Sequence, residues 1–281
     1  MVGTAYGILA GYDGSPGSEQ ALSWAVREAR SRGTALTVCC AYEPGFAVLP
    51  GEEAVLDLAR RSGERIIDDG LRRAQHLMGA GKVRSLLVQG QAATVLCEHS
   101  HDADIVVVGS RGIGGGVAGR VLGSVSSQVA AHAKGRVVVV RGHWRPAAGF
   151  VPGPVVVGAN GSPPSRAALD FAFEEATLRE APVLAVCALA DAPGSLGGHD
   201  DRREQFEHAI RLWEKKYPEV TVLRRVAVGG ARDALLTAAR DAQMLVVGSR
   251  GRGGVPGMVL GSISQAALHH APCPVGVVHP A

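Results

Sequence analysis

At 281 residues, with 46% hydrophobic and 20% charged residues, the chain has the composition of a soluble globular protein and the length of two ordinary domains. A formal charge of +3, with arginine scattered among Asp and Glu, offers no basic face of the kind nucleic acid requires. No run approaches a membrane span, and the start, MVGTAYGILAGYDGS, lacks the regions of a signal peptide, so the expectation is a cytoplasmic protein with no membrane and no nucleic-acid partner.

YGILAGY predicts a short strand. A helix follows in SPGSEQALSWAVREARSRG, with Ser18 as its expected cap and Ala21, Leu22, Ala25, Val26 and Ala29 as its apolar stripe. TALTVCCAY is the next strand, then a helix from about Glu53 to Gly79, a strand at VRSLLVQG and a helix at AATVLCEHSHD. The strand ADIVVVGS runs into a glycine-rich loop, a helix begins at Gly123-Ser124, and RVVVVRG closes the set. The stretch RGHWRPAAGFVPGPV, rich in Pro and Gly, reads as a linker.

Beyond it the order returns. VVVGSRGIGGGVAGRVLGSVSSQVAAH comes back as LVVGSRGRGGVPGMVLGSISQAALHH, and ILAGYDGSPGSEQALSWA as VVVGANGSPPSRAALDFA. An offset of about 140 residues is one whole domain, too long for a solenoid repeat. The expected division is residues 1–143, a linker at 144–153, and 154–281. In the second copy HDDRREQFEHAIRLWEKKYPE reads as an amphipathic helix with Phe206, Ile210 and Trp213 inward, and CPVGVVHP is the last strand. Alternating βα units with unbroken Val/Ile strands predict a parallel, doubly wound α/β sheet of five strands per copy. Ligands of such sheets bind beyond the carboxyl ends of the strands.

The glycine loop leaves one of those carboxyl ends and leads into a helix start, where free N–H groups and the helix dipole favour an anion. Glycine permits positive φ and lets the backbone approach a phosphate. The alternative is a mobile loop with Ser124 as a simple N-cap. GGGVAG (Gly114 to Gly119) matches GxGxxG but follows a late strand and lacks the acidic partner of a dinucleotide site, and there is neither a P-loop lysine nor a GxSxG elbow. Asp13, after the first strand, suits a ribose hydroxyl or a phosphate-bound metal; equally, it suits an Asx turn at Asp-Gly. The cysteines show no metal or CxxC spacing, and Cys39, Cys40 and Cys187 read as small core hydrophobes. His99, His101, His269 and His270 lack a third ligand and read as solvated or capping residues, so no metal is expected from the protein alone.

Both copies resemble the universal stress protein family, and the whole chain resembles its tandem-domain members. The nucleotide-binding members carry G-x2-G-x9-G-[ST]; the second copy has it at Gly248, Gly251, Gly261 and Ser262. In the first copy Gly109 and Gly112 are in place, but ten residues separate Gly112 from Gly123-Ser124. The resemblance implies two Rossmann-like domains related by pseudo-two-fold symmetry, each binding ATP, with Mg possible alongside. In the first domain it assigns Gly11 and Asp13 near the ribose and adenine, Ala41 beside the adenine, and Gly109, Gly112, Gly115, Gly123, Ser124 and Ser126 at the phosphates. The matching set in the second is Gly158, Asn160, Ala188, Gly248, Gly251, Gly254, Gly261, Ser262 and Ser264. The resemblance further implies a nucleotide-dependent stress-response regulator with a protein partner, forming a homodimer. A slow ATPase and an interaction module without nucleotide are the alternatives.

Overall fold

Two alternating βα halves around a central first strand define the molecule, and the computed structural model of the chain contains that arrangement twice. The structure describes residues 4–44, 53–112, 122–141, 153–189, 196–251 and 259–280. The chain divides into two compact units, Met1–Val140 and Arg141–Ala281. In the first, the strands are β1 (Gly7–Gly11), β2 (Leu36–Tyr42), β3 (Val83–Gln89), β4 (Ala103–Gly109) and β5 (Arg136–Val140). They are connected through α1 (Pro16–Arg32), α2 (Glu53–Met78), α3 (Ala92–His99) and α4 (Ser124–His132). Their order is β3-β2-β1-β4-β5, every pairing parallel.

The second unit runs β6 (Val155–Gly158), α5 (Pro163–Leu178), β7 (Val183–Leu189), α6 (Leu196–Lys216), β8 (Val222–Val228), α7 (Ala231–Ala238), β9 (Met244–Gly248), α8 (Ser262–His270) and β10 (Val275–Val278). Its order is β8-β7-β6-β9-β10, again parallel throughout. Each unit is thus the five-stranded doubly wound sheet that the sequence predicts. Val155, Val156 and Val157 are fully buried, as strands with helices on both faces must be. The edge strands β3 and β8 instead expose Arg84 and Arg225, charges that discourage pairing with another chain. In α2 the buried residues Gly63, Ile67, Gly70 and Ala74 form one narrow stripe, three and four residues apart. Phe206 and Ile210 of α6 are buried and Trp213 is half-buried, on the inward face expected.

The start of α1 differs from its sequence reading. Ser15, not Ser18, is the cap: the Ser18 N–H donates to Ser15 Oγ at 3.2 Å, with Pro16 at the first helical position. Ser162 and Ser165 repeat the arrangement at α5, at 3.3 Å. Proline already fixes the first turn, so the serine before it becomes the cap. His99 also departs from expectation. Its ring packs edge-on to Tyr6 with centroids 5.3 Å apart, and Nδ1 meets the Tyr6 hydroxyl at 3.0 Å. Among the described residues no helix is long and apolar enough to cross a membrane, and no three His, Cys, Asp or Glu side chains are grouped to share a metal.

The first turn of α1 packs backbone to backbone on the end of β4. A Cβ on Gly17 would stand 2.1 Å from the Arg111 carbonyl oxygen, and one on Gly109 would stand 2.4 Å from the Gly17 carbonyl oxygen. Gly248 meets Pro164 of α5 in the same way, at 2.7 Å. Gly17→Ala is therefore expected to lower the unfolding free energy by about 2 kcal/mol through overpacking. Gly81→Ala, with nothing within 4 Å, should leave it unchanged. Urea denaturation of both variants checks this; equal midpoints would contradict the packing.

Candidate functional site

From β1 the chain moves outwards to β2 and β3, then returns to the other side of β1 as β4. Connections leave the carboxyl ends of β1 and β4 in opposite directions, which opens a crevice between them. β6 and β9 repeat this in the second unit. At the first crevice, Asp13 Oδ1 accepts the Ser15 N–H at 3.0 Å, and Oδ2 lies where a Cβ on Gly112 would come within 2.4 Å. Asp13 is thus both an Asx-turn residue and a carboxylate set against the glycine loop, and a side chain at 112 would have to displace that carboxylate. The Asp13 N–H donates to Ser18 Oγ at 3.3 Å, which fastens the turn to α1.

Tyr12, one residue earlier, clamps α2 to the same corner. Its ring lies over Gly70, where a Cβ would be 2.7 Å away, and its hydroxyl donates to Asp69 at 2.8 Å. Arg73 Nε donates to Asp69 at 2.7 Å and its guanidinium reaches Glu19 at 3.3 Å. Burial and the Asp69 carboxylate hold the Tyr12 hydroxyl well above its ordinary range, while the Arg73 guanidinium holds Asp69 below that of a carboxylate.

The far wall is a helix start. Gly123 is the N-cap of α4 and has no side chain to cap with, so Ser124 stands one position inside the helix and is not the cap. The first intrahelical bond is Ser127 N–H to Gly123 O at 3.0 Å, which leaves the N–H groups of Ser124, Val125 and Ser126 for another acceptor. Gly261, Ser262 and Ser264 occupy the same positions at α8. Gly123 N–H donates to Ser110 O and Gly261 N–H to Ser249 O, both at 2.8 Å. The extra residue of the first loop therefore does not displace the helix start. Ser126 Oγ donates to Ser110 O at 3.2 Å and Ser264 Oγ to Gly248 O at 2.7 Å, so these hydroxyls brace the mouth. Ser124 and Ser262 are the less buried pair.

Ala41 and Ala188 are the penultimate residues of β2 and β7, and Gly11 and Gly158 end β1 and β6. A Cβ on Gly11 would press on Leu96 of α3 at 2.9 Å; at Gly158 the neighbour is Leu235 of α7, at 3.2 Å. In the second unit these parts enclose a cavity of about 460 Å³ lined by Gly158, Asn160, Ala188, Gly248, Gly251, Gly261, Ser262 and Ser264. That is the size of a small-molecule cleft, roughly 300–1,000 Å³. Gly115 and Gly254 lie outside the described residues.

A family model for the universal stress protein family matches residues 7–141 and 153–279, nearly the whole chain. The chain belongs to the universal stress protein family. A universal stress protein of Mycolicibacterium smegmatis is 36% identical over 99% of this chain and 98% of its own. The universal stress protein Rv1996 of Mycobacterium tuberculosis is 34% identical over 97% and 94%. Among solved structures, a universal stress protein from Archaeoglobus fulgidus aligns over 98% of both chains with a TM-score of 0.74 at 19% identity, a likeness of fold.

The universal stress protein framework also contains residues that the sequence reading missed. Cys187 lines the second cavity, and Cys40 holds the matching place before Ala41. Burial, then the Asp13 carboxylate, push the Cys40 thiol up to about 11, and burial pushes Cys39 up to about 12. Arg202 of α6 and Arg250 add cations to the second cavity, and Leu235 an apolar wall. Aligning CCAY with VCAL signals the cysteine pair; nothing local signals Arg202, which is placed by the path of α6. With its pKa near 11, Cys40 at pH 8 is thiolate only on the order of one part in a thousand. A variant retaining Cys40 alone should therefore react with a disulfide reagent far more slowly than a free peptide thiol, accelerating as pH rises towards 11. Peptide-like reactivity at pH 8 would contradict the burial.

Proposed function

We propose that each unit binds ATP in its crevice. The triphosphate lies at the start of α4 or α8, and the base lies towards Ala41 or Ala188. In this reading the protein is a cytoplasmic, nucleotide-dependent stress-response regulator. The observation that carries it is the convergence of the second unit's site residues on one cavity, with an uncapped helix start at one end and an apolar wall at the other. Three N–H groups with no acceptor among the described residues and a helix dipole suit phosphate oxygens, and Leu235 with Val186 suits an adenine face.

The two units fit magnesium differently. Asp13 is a hard oxygen donor at the first crevice, the chemistry Mg2+ takes alongside phosphates. No carboxylate lines the second cavity among the described residues, so an ion there would be held by the nucleotide. Binding is favoured over hydrolysis for a related reason: among the described residues that cavity has neither carboxylate nor histidine to activate water. Regulation requires that bound and empty chains present different surfaces to a partner, or to a second copy in a homodimer, because a ligand shifts only those states it binds differently.

Gly251 supplies the test. A Cβ there meets one heavy atom of the described residues within contact range, Asn160 Nδ2 at 3.5 Å, so the fold accommodates a side chain that the crevice does not. Gly251→Val should weaken ATP binding at one of two sites by about tenfold or more, measured by titration calorimetry. The thermal midpoint should stay within a few degrees of the parent. Unchanged binding at both sites, or no binding by the parent chain, would overturn the reading.

A further inference from the structure

The second residue after the central strand is Asp13 in one unit and Asn160 in the other, and the hydrogen bonds around it fix what each offers a ligand. Asn160 Oδ1 accepts the Ser162 backbone N–H at 3.0 Å and the Ser162 hydroxyl at 2.7 Å. A backbone N–H can only donate, so the atom facing Ser162 is the oxygen and the amide orientation is determined. The other end, Nδ2, is turned towards Gly251 at the cavity and finds no partner among the described residues. The second unit therefore presents a donor where the first presents the Asp13 carboxylate to Gly112. The acceptor of Asn160 is spent on the turn, and its donor is left for the ligand.

A ribose hydroxyl both donates and accepts, so it satisfies either residue. A phosphate ester only accepts and carries charge. Against Asp13 it faces like charge, whereas against Asn160 it meets an N–H donor in a cavity lined by Arg202 and Arg250, with no carboxylate among the described lining residues. Building on the nucleotide reading, we infer that Asn160 sets a second ligand class: the second unit takes nucleotides that bear an additional phosphate on the ribose, and the first unit rejects them.

The test is calorimetric titration of the full-length chain with adenosine 3′,5′-bisphosphate, with ATP titrated in parallel. The parent chain should take up one bisphosphate. Asn160→Asp, which aims a carboxylate oxygen at Gly251, should weaken that event by about tenfold or more. Asp13→Asn, which by the same turn geometry aims an amide at Gly112, should add a second event. Thermal unfolding of each variant establishes that it is folded, and the two substitutions fail or succeed independently. A parent chain that binds ATP but takes up no bisphosphate, or two with equal affinity, overturns the inference and leaves the ATP reading intact, as does an Asn160→Asp chain that binds it unchanged. A parent chain that binds neither ligand overturns the ATP reading beneath it.

Discussion

The crevice depends on a contact in which side chains take no part. The first turn of α1 rests on the end of β4 with carbonyl against glycine, Gly17 on Arg111 and Gly109 on Gly17. That contact brings the chain leaving β1 against the chain leaving β4, so that Asp13 meets Gly112. Ser18 and Ser165 then tie residues 13 and 160 to their helices. Ser126 and Ser264 tie the opposite helix starts back to the strand ends. Each wall is fastened by hydrogen bonds supplied by the protein itself, so a ligand meets donors already in place and does not bear the cost of ordering them.

Duplication has kept this frame while changing what it displays. The buttressing serines and the uncapped glycine helix starts occur in both units. The additional residue between Gly112 and Gly123 leaves the Gly123–Ser110 bond the same length as its Gly261–Ser249 counterpart. The residue that opens the turn is free to vary, because either a carboxylate or an amide oxygen can accept the backbone N–H two positions on. The turn needs one oxygen; the second atom of the group is left to the ligand. A substitution that is neutral for the fold can therefore invert the hydrogen-bonding character of the site.

The elements and their order were legible in the sequence because unbroken valine strands, apolar helical stripes and the repeat all point the same way. VVVGAN returning ILAGYD, and LGSIS returning LGSVS, aligned the site residues without coordinates. What stayed hidden was of three kinds. Ser15 and Ser18 both fit a cap, and only the proline between them, which fixes the first turn, separates the two. Cys40 and Cys187 are core residues, as their strands predict, but a strand's burial does not reveal that residues near its end border a crevice. Arg202, and the pairing of His99 with Tyr6, depend on contacts between segments far apart in the chain, which periodicity cannot encode.

The most direct measurement is the nucleotide carried by the chain itself. Protein purified without added nucleotide would be denatured, and the released adenine nucleotides would be separated by ion exchange and counted per chain. Adenine nucleotide at close to one per unit is the result expected of two preorganised crevices. A chain that releases none, and that takes up no ATP when it is then supplied, would contradict the account and leave the glycine loops as connectors.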